Sequence, residues 1–315
     1  MVAALLATGC DGPQSALAPA SLDAARVAEL FWWMVAGSAA IWLAVITIGL
    51  YAARGRPRSE RAGRRLILVA GALLPTLVLG ALLIYGLRLM PSAHDQEADL
   101  RIEVVGEQWW WRVRYLRDDG GPVELANEVR LPRGARAEFI LSSPDVIHAF
   151  WIPSLGGKRD MIPGRITRLV LRPDRVGEYR GACAEYCGGS HALMAFPVVV
   201  MEPAEFDAWL RAQAAPARAP GEEPARRGQA LFLANGCGGC HSVRGTEADG
   251  VIGPDLTHVG SRLSLGAGVL PNEPAEFARW LAHTERIKPE VRMPAYSMLA
   301  REELDAIAAY LEGLQ

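Results

Sequence analysis

Two long uncharged stretches constrain this chain more than any other feature of its sequence. From Val27 to Ala53 only one acid occurs, near the start, and Leu66 to Leu87 carries no charge at all. Each stretch has about the 20 residues that an α-helix needs to cross the hydrocarbon core of a bilayer. Hydrophobic residues make up 50% of the chain, which fits the presence of membrane segments. The sequence therefore predicts a two-helix transmembrane hairpin within residues 26–90.

The loop between the two stretches predicts their orientation. It runs from Arg54 to Arg65 and contains six arginines against one acid. Basic loops of this kind stay in the cytoplasm, so both termini are expected on the outer, periplasmic face of a bacterial plasma membrane. Residues 1–25 are similar to the end of a bacterial lipoprotein signal, with Cys10 as the lipidated residue. An unmodified cysteine near a frayed terminus is the alternative.

Residues 91–211 change to short β-rich runs that are broken by Gly, Pro and Asp. Several such strands over about 100 residues predict an all-β Greek-key sandwich or barrel. The formal net charge of −2 argues against nucleic acid as a partner of the chain. The predicted strands include Arg101–Val104, Glu138–Leu141, Thr167–Leu171 and Ala195–Met201.

One loop of this region concentrates metal-binding side chains, namely Cys183, Cys187, His191 and Met194. Thiolate, imidazole and thioether donors select copper over magnesium or calcium. A mononuclear copper centre needs one cysteine, so two thiolates suit a pair of copper ions, each with a terminal imidazole. His191 supplies one imidazole, and His148 is the best candidate for the other. The alternatives are a disulfide, which explains neither His nor Met, and a zinc knuckle, which favours C-x-x-C spacing and does not use Met.

The loop matches the pattern C-x-E-x-C-G-x-x-H-x-x-M, and residues 145–148 match D-V-x-H. At these positions the chain closely resembles subunit II of haem–copper cytochrome c oxidases, which carries the binuclear CuA centre. The resemblance implies a cupredoxin-like domain, and it places the Glu185 side chain at a magnesium site shared with subunit I. It also implies the copper ligands: Cys183 and Cys187 as bridges, His148 and His191 as terminal ligands, and Met194 and the Glu185 carbonyl as weak axial ligands.

Two further segments take their expected roles from the same resemblance. Gly106–Trp111 contains Q-W-x-W, whose first tryptophan, Trp109, is where electrons from cytochrome c enter the family's subunit II. We expect this segment on the first strand, where neighbouring side chains face opposite sides, so the three tryptophans cannot all be core. The alternative places one or two in the core and the rest at the membrane surface. Gly156–Arg165 is expected to contact subunit I, which is compatible with a solvated turn held by a salt bridge.

A second soluble domain is predicted at residues 225–315, after a Pro-containing, semi-stiff linker at 212–224. Its signature is C-x-x-C-H, the covalent attachment motif of c-type haem. Cys237 and Cys240 form the thioethers to the haem, and His241 is the proximal iron ligand.

The second axial ligand of the haem is expected to be Met293, in a Met-Pro turn similar to that of class I cytochromes c. Met298 is its nearby competitor. Phe232 and Tyr310 are expected to supply the contact between the first and last helices of an all-α cytochrome c domain. The remaining histidines are expected to be ordinary surface residues: His94, His258 and His283.

The combination of membrane hairpin, CuA domain and fused cytochrome c domain resembles subunit II of caa-type oxidases. It implies the electron-input subunit of a proton-translocating terminal oxidase, with two copper ions and covalent haem c as cofactors. Electrons would pass from a cytochrome c-type donor through haem c and CuA to subunit I, and other oxidase subunits are expected partners. Many subunits II carry an acid seven residues before the proline of the second helix; here that position is Leu68, so no proton-entry residue is assigned.

Three other functions were weighed against this interpretation. A quinol oxidase subunit II shares the hairpin and the β domain but lacks the cysteine pair. The CuA subunit of a nitric oxide reductase is the alternative within the enzymes, and subunit I decides between the two. A copper-binding or copper-delivery protein would need exchangeable sites, which a covalent haem and a membrane hairpin do not favour.

Overall fold

The structure is a computed structural model, and it describes residues 11–55, 59–89, 97–117 and 120–315. Cys10, the expected lipidation site, lies outside the described residues. The described residues up to Ala24 and the segment Ala98–Gln315 belong to one compact unit, and Ala25–Glu97 belong to a second.

Two helices near the N-terminus contain the uncharged stretches. Helix α1 spans Leu22–Ala53, and helix α2 spans Glu60–Leu89. Both are long and apolar enough to cross a membrane, and none of the most apolar part of either helix is buried. In water such surfaces would lose the favourable burial that stabilises folded chains. Two apolar helices consistent with membrane anchoring are therefore confirmed.

Helix α2 is irregular near its middle. Its turns widen to π-helical hydrogen bonding over Ile67–Leu73, directly before Pro75. Proline has no backbone N–H and its ring clashes with the carbonyl four residues earlier, and widened turns are one way that a helix accommodates such an interruption.

The β domain consists of two five-stranded sheets, ordered β3-β2-β1-β5-β8 and β4-β10-β9-β6-β7. Buried and exposed residues alternate along β1 and β5, so each sheet turns one face toward a shared core. The predicted all-β, cupredoxin-like class is confirmed, and β8 and β10 have the predicted bounds. The strands are β1 Leu100–Glu107, β2 Trp110–Leu116, β3 Val123–Ala126, β4 Val129–Pro132, β5 Ala137–Ser142, β6 His148–Trp151, β7 Arg159–Met161, β8 Thr167–Leu171, β9 Gly177–Cys183 and β10 Ala195–Met201.

Aromatic side chains fill the core between the sheets. Phe150 stacks on Phe196 with ring centroids 4.9 Å apart, and Trp111 packs edge-on against both rings. All three are almost completely buried, and full burial of such a side chain contributes about 1.5–3 kcal/mol. Because Phe150 pairs across the sheet with Cys183, this rigid core lies directly beneath the cysteine-containing loop.

Helix α3, Pro203–Ala214, packs on the β domain through Phe206 and Trp209, and it extends into the predicted linker. The following residues contact the C-terminal domain, since the Ala217 N–H donates to the Arg244 carbonyl at 2.8 Å. His258 is buried, and its Nε2 lies 3.0 Å from the Ala215 carbonyl. The expectation that His258 is a surface residue was wrong because the chain leaving α3 covers it.

The C-terminal domain contains helices α4 Glu223–Ala234, α5 Pro274–Ile287 and α6 Arg301–Glu312 and a short hairpin, β11 Ser264–Leu265 and β12 Leu270–Pro271. Helices α4 and α6 cross at Gly228, where a Cβ atom would lie 1.9 Å from the Ala306 carbonyl oxygen. Next to this close approach, the rings of Phe232 and Tyr310 meet edge-to-face at 5.6 Å. The helical class of the domain is confirmed, and the expected contact between its first and last helices is present.

Candidate metal centre and haem pocket

Sheet pairing assembles the cysteine-containing site from distant parts of the chain. Strand β9 ends at Cys183, and the loop from there to β10 contains Cys187, His191 and Met194. His148 begins strand β6, which pairs antiparallel with β9. Residues 35 positions apart are thereby brought into contact.

The donor atoms of this loop and of His148 lie within 4 Å of their neighbours. Both cysteines are free and buried, with Sγ atoms 3.8 Å apart, so the thiols are available as ligands. His148, Cys183 and Cys187 form a compact group with ligand atoms within 4.8 Å of one another. The other contacts are Cys183 Sγ to His148 Nδ1 at 3.8 Å and to the Glu185 carbonyl at 3.1 Å, and Cys187 Sγ to His191 Nδ1 at 3.5 Å and to Met194 Sδ at 3.8 Å.

Asp145 fixes the orientation of the buried His148 ring. Its Oδ1 lies 2.9 Å from His148 Nε2, which leaves Nδ1 directed at the Cys183 sulfur. Burial raises the pKa of Asp145, but the backbone N–H groups of Gln108 and Val146 and the His148 ring outweigh burial and lower it. A carboxylate behind a metal-ligating histidine is a common arrangement because it holds the ring and its tautomer. Asp145 was visible in the D-V-x-H motif, but sequence reasoning gave it no role.

The two thiols differ in acidity because the contact between their sulfur atoms stabilises the thiolate of one and the protonated form of the other. Contact with Cys187 is the largest cause that lowers the pKa of Cys183, to about 3. The same contact, with burial, raises the pKa of Cys187. Burial lowers the pKa of His148, and its contacts with Cys183 and Asp145 more than offset this and raise it. The pair thus favours one thiolate and one thiol, and a bound cation would replace the remaining proton.

Trp109 lies over this loop. Its indole Nε1–H donates to the Cys187 carbonyl at 3.0 Å, and the Gln108 side chain donates to the same oxygen at 2.8 Å. The Gln108 backbone N–H donates to Asp145 Oδ2 at 2.7 Å. One two-residue segment therefore supports both the cysteine loop and the carboxylate behind His148.

The three consecutive tryptophans occupy three different environments. The expectation that all lie on the first strand was wrong: β1 ends at Glu107 and β2 begins at Trp110, so Trp109 is in the turn of the hairpin. Trp111 is in the core. Trp110 is half-buried beneath the Arg112 guanidinium, which lies 4.7 Å from the ring centroid. Trp109 and Trp111, two positions apart, are therefore both largely buried, and Trp110 between them is only half-buried.

The side chain of Glu185 points away from the sulfur atoms. Its Oε2 lies 3.4 Å from Lys158 Nζ, which also contacts Asp160 at 3.0 Å. All three side chains are roughly half-exposed. The expected solvated turn with a salt bridge is therefore present at the start of the Gly156–Arg165 segment.

A largely apolar cavity of about 260 Å³ lies between the C-terminal domain and the β1–β2 turn, and Cys237, Cys240, His241 and Met293 all line it. Cys237 is buried and Cys240 exposed. Met293 is partly buried in the domain core, whereas Met298 is 76% exposed. The structure thus brings the four predicted haem ligands to one cavity and leaves the competing methionine at the surface.

A backbone contact determines which nitrogen of His241 is available to bind a metal. Nδ1 lies 2.8 Å from the Pro254 carbonyl, so the other ring nitrogen, Nε2, remains for the iron. Burial lowers the pKa of His241 and favours the neutral ring that binds metals. A Cβ atom at Gly253 would lie 2.6 Å from the ring, so the loop fits closely against it. Apolar lining, paired thiols and a neutral imidazole all suit a covalently bound haem.

Residues of the β1–β2 turn also line this cavity, including Trp109 and Trp110. Lys288 lines it too and is almost completely buried. Burial lowers the pKa of Lys288 to about 7. No local motif in the sequence indicates the burial of Lys288.

The fold and the two sites define a class of protein: a chain with apolar helices consistent with a membrane anchor, a cupredoxin-like domain with a paired-thiol site, and a helical domain with a C-x-x-C-H cavity. Comparison with known families agrees. The family description "Cytochrome C oxidase subunit II, periplasmic domain" matches residues 116–202. The description "Cytochrome c" matches residues 225–315.

Curated relatives named "Cytochrome c oxidase subunit 2" share much of the sequence. The protein of Alkalihalophilus pseudofirmus is 36% identical over 225 residues, covering 71% of this chain and 64% of the relative. That of Bacillus subtilis (strain 168) is 30% identical over 273 residues, covering 80% of this chain and 76% of the relative. This chain therefore spans just under two thirds of the length of the first relative and about three quarters of the second.

Among solved structures, the periplasmic domain of subunit II of cytochrome oxidase (CoxB) of Bradyrhizobium japonicum is 32% identical, with a TM-score of 0.35. That match covers 38% of this chain and 95% of the other. The chain belongs to the cytochrome c oxidase subunit 2 family. Within it, the chain carries a cytochrome c domain after the periplasmic subunit II domain. Copper and haem c are the cofactors that these two domains imply.

Proposed function

We propose that this chain is the electron-input subunit of a haem–copper terminal oxidase. The observation that carries the proposal is that one compact unit holds a paired-thiol site and a haem-type cavity, with the Trp109 turn contacting both. The enzyme is then the whole oxidase, with oxygen reduction in another subunit. This chain binds the redox groups and positions them.

The proposed copper ligands are supported by the chemistry and placement of their donor atoms. Two buried thiols bridge well only if two imidazoles approach from opposite ends of the pair. Here His148 contacts Cys183 and His191 contacts Cys187. The Glu185 carbonyl lies beside the Cys183 sulfur and the Met194 thioether beside the Cys187 sulfur, so these two groups would serve as the additional weak ligands of a bound copper pair. When bound, a copper pair of this type supplies one-electron transfer with little movement of its ligands.

We propose Trp109 as the residue through which electrons pass from the haem pocket toward the copper loop. It lines the haem cavity, and its indole N–H is bonded to the carbonyl of Cys187. Trp109→Ala should slow haem-to-copper transfer severalfold, measured by flash reduction, with little change in either absorption spectrum. Trp109→Phe keeps the aromatic ring but loses the N–H. Wild-type rates in both variants would remove Trp109 from the path.

The membrane arrangement and partners follow the same proposal. The arginine-rich loop supports a cytoplasmic turn, with both termini and the redox domains on the periplasmic side. Lipidation at Cys10 would add a further anchor. Subunit I and other oxidase subunits are the proposed partners, with a cytochrome c-type protein as donor. We further propose that the half-exposed Glu185 carboxylate reaches a magnesium ion once subunit I displaces Lys158.

The metal content tests the proposal directly. Full-length protein, purified within its complex, should contain two copper ions and one covalent haem c per chain at this subunit. Electron paramagnetic resonance should show a seven-line hyperfine pattern, because one unpaired electron is shared by two equivalent copper nuclei. A four-line spectrum from a single copper in protein with intact cysteines would contradict the proposal.

The final acceptor separates the remaining alternatives. The CuA subunit of a nitric oxide reductase would share every site described here, so the haem types and turnover of the native complex must be measured. The proposal expects oxygen consumption with reduced cytochrome c. A copper-delivery protein would instead release its copper to an apo-acceptor, whereas buried bridging thiols should retain it.

A further inference from the structure

A single lysine joins the two soluble domains beneath their surface. Lys288 follows helix α5 of the cytochrome domain, and its side chain is among the most completely buried in the chain. Its Nζ donates to the Trp109 carbonyl of the β domain at 2.6 Å and to the Gly266 carbonyl of its own domain at 2.8 Å. Lysine is rarely buried unless its donors are satisfied, so these contacts account for its position.

The two residues after Lys288 contact the loop between β9 and β10, which carries Cys187, His191 and Met194 and is called the copper loop below. The Ser190 hydroxyl donates to the Pro289 carbonyl at 2.5 Å, and the Gly189 N–H donates to Glu290 Oε2 at 3.2 Å. Gly189 and Ser190 lie between the proposed ligands Cys187 and His191. One short segment of the cytochrome domain thus bonds to both the loop and the Trp109 turn.

The backbone of this segment is held in a less favourable conformation. Glu290 has a φ of +64°, in the left-handed region that residues other than Gly, Asn and Asp seldom adopt. Non-glycine residues persist there when surrounding contacts over-determine them. The packing opposite is close, since a Cβ atom at Gly189 would lie 2.4 Å from the Glu290 carboxylate.

We propose that Lys288–Glu290 is an inter-domain latch that holds the cytochrome domain on the Trp109 turn and the copper loop in a lasting, electron-transferring arrangement. Four residues separate Lys288 from Met293, so the segment that binds the copper loop leads within a few residues to the proposed haem ligand. This inference rests on the proposed function for its purpose, but the contact itself can be tested without electron transfer. Lys288 acts here as a positioning residue.

The latch removes the need for a freely docking haem domain. A tether alone would raise the local concentration of the cytochrome and allow repeated transient encounters. Hydrogen bonds from Lys288 to buried backbone carbonyls instead make separation of the two domains unfavourable. Separation breaks these bonds, and water must then hydrate the exposed groups. The domain interface has further bonds away from the latch, including Glu128 Oε2 with the Leu263 N–H at 2.7 Å and Arg112 with the Val251 carbonyl at 2.9 Å.

Amine labelling of the full-length, copper- and haem-loaded protein tests the latch. Lys158 and Lys288 are the only lysines in the sequence, so an acetylating reagent and mass spectrometry can follow both. Contact with Asp160 raises the pKa of the exposed Lys158, whereas burial lowers that of Lys288. An accessible Lys288 amine would therefore react faster than Lys158. We expect the opposite order, with Lys288 slower by at least about tenfold, as burial of a bonded donor requires.

Variants complete the test. Lys288→Met keeps the apolar stem and removes the donors. Arg279→Met, on helix α5 just before Lys288, is the charge-matched control, since Arg279 pairs only with Glu276 in the described contacts. We expect Lys288→Met, but not the control, to slow haem-to-copper transfer by about tenfold with both spectra unchanged. If Lys288→Met does not fold, Ser190→Ala and Glu290→Gln should each speed acetylation of Lys288.

Three results would overturn the latch: Lys288 acetylated as fast as Lys158, Lys288→Met transferring electrons at the rate of Arg279→Met, or Lys288 labelling unchanged in both weaker variants. Protein that lacks the copper pair yet protects Lys288 would contradict the proposed function and leave the latch standing. The two proposals can therefore fail separately.

Discussion

The copper loop and the haem pocket are built in opposite ways. In the β domain, each predicted ligand atom lies within 4 Å of a neighbouring one, next to a core of aromatic rings. In the cytochrome domain, the predicted ligands surround a cavity of about 260 Å³. At the first site, a packed protein core holds the donor atoms in place for a metal. At the second site, the cofactor itself would fill the centre of the domain. Metal loss and haem loss should consequently have different effects on the fold.

The largest effect is expected from the haem cysteines. Cys237→Ser combined with Cys240→Ser should abolish covalent haem and the cooperative unfolding of the C-terminal domain. Without the haem, the apolar side chains that line this cavity lose the packing partner that occupies the centre of the domain, so their van der Waals contacts are lost. Haem staining and calorimetry measure the two losses. The copper spectrum serves as the control, and cooperative unfolding of a haem-free C-terminal domain would contradict the comparison.

A change at the copper site should remove the metal signal but not the fold. Cys183→Ser takes away one bridging thiolate, so the shared-electron spectrum should disappear, because one bridge cannot delocalise a hole over both copper ions. The β domain should keep its near-ultraviolet circular dichroism, since Phe150, Phe196 and Trp111 remain packed. Collapse of that signal would show that the metal, and not the core, holds the loop's surroundings in place.

How far the sequence predicts the structure differs between these two regions. The predicted haem ligands can be found from sequence alone, because C-x-x-C-H and the Met-Pro turn are short contiguous motifs whose residue types indicate their chemistry. The copper loop is local too, but the approach of His148 depends on β6 pairing with β9, which no local sequence pattern indicates.

Contacts between domains were beyond sequence reasoning. Lys288 has no neighbouring signal for burial, since its acceptors are the backbone carbonyls of Trp109 and Gly266, which are distant in the chain. The burial of His258 was missed for the same reason. Its partner is the backbone carbonyl of Ala215, and the alanine side chain gives no sign of this contact. Every residue has a backbone carbonyl, so a hydrogen bond to one cannot be predicted from composition or motif spacing. The three-dimensional structure is needed to identify such contacts.

A smaller effect is expected at the second axial ligand of the haem. Met293→Ala should abolish the weak sulfur-to-iron charge-transfer band at the red end of the spectrum, while the thioether bonds keep the haem in place. Met298→Ala, at the exposed methionine, is the matched control. If the control loses the band and Met293→Ala keeps it, the axial ligand has been assigned to the wrong residue.

The smallest change concerns the group behind His148. Asp145→Asn keeps the shape of the side chain but removes the charge, so copper affinity should fall by about 10–100-fold, as for other outer partners of metal-bound histidines. Competition with a chelator measures the affinity. Asp160→Asn, at an exposed carboxylate near Lys158, should leave it unchanged. Equal affinities in the two variants would show that the sheet alone orients His148.

Flash reduction of the haem in the full-length protein tests the central claim most directly. If the two sites form one intramolecular path, the haem should be reoxidised while the copper pair is reduced and its absorbance is bleached. Both changes should occur at one rate, and this rate should not change when the protein is diluted. A rate that falls in proportion to protein concentration, or haem reoxidation without copper reduction, would contradict an internal path between the two centres.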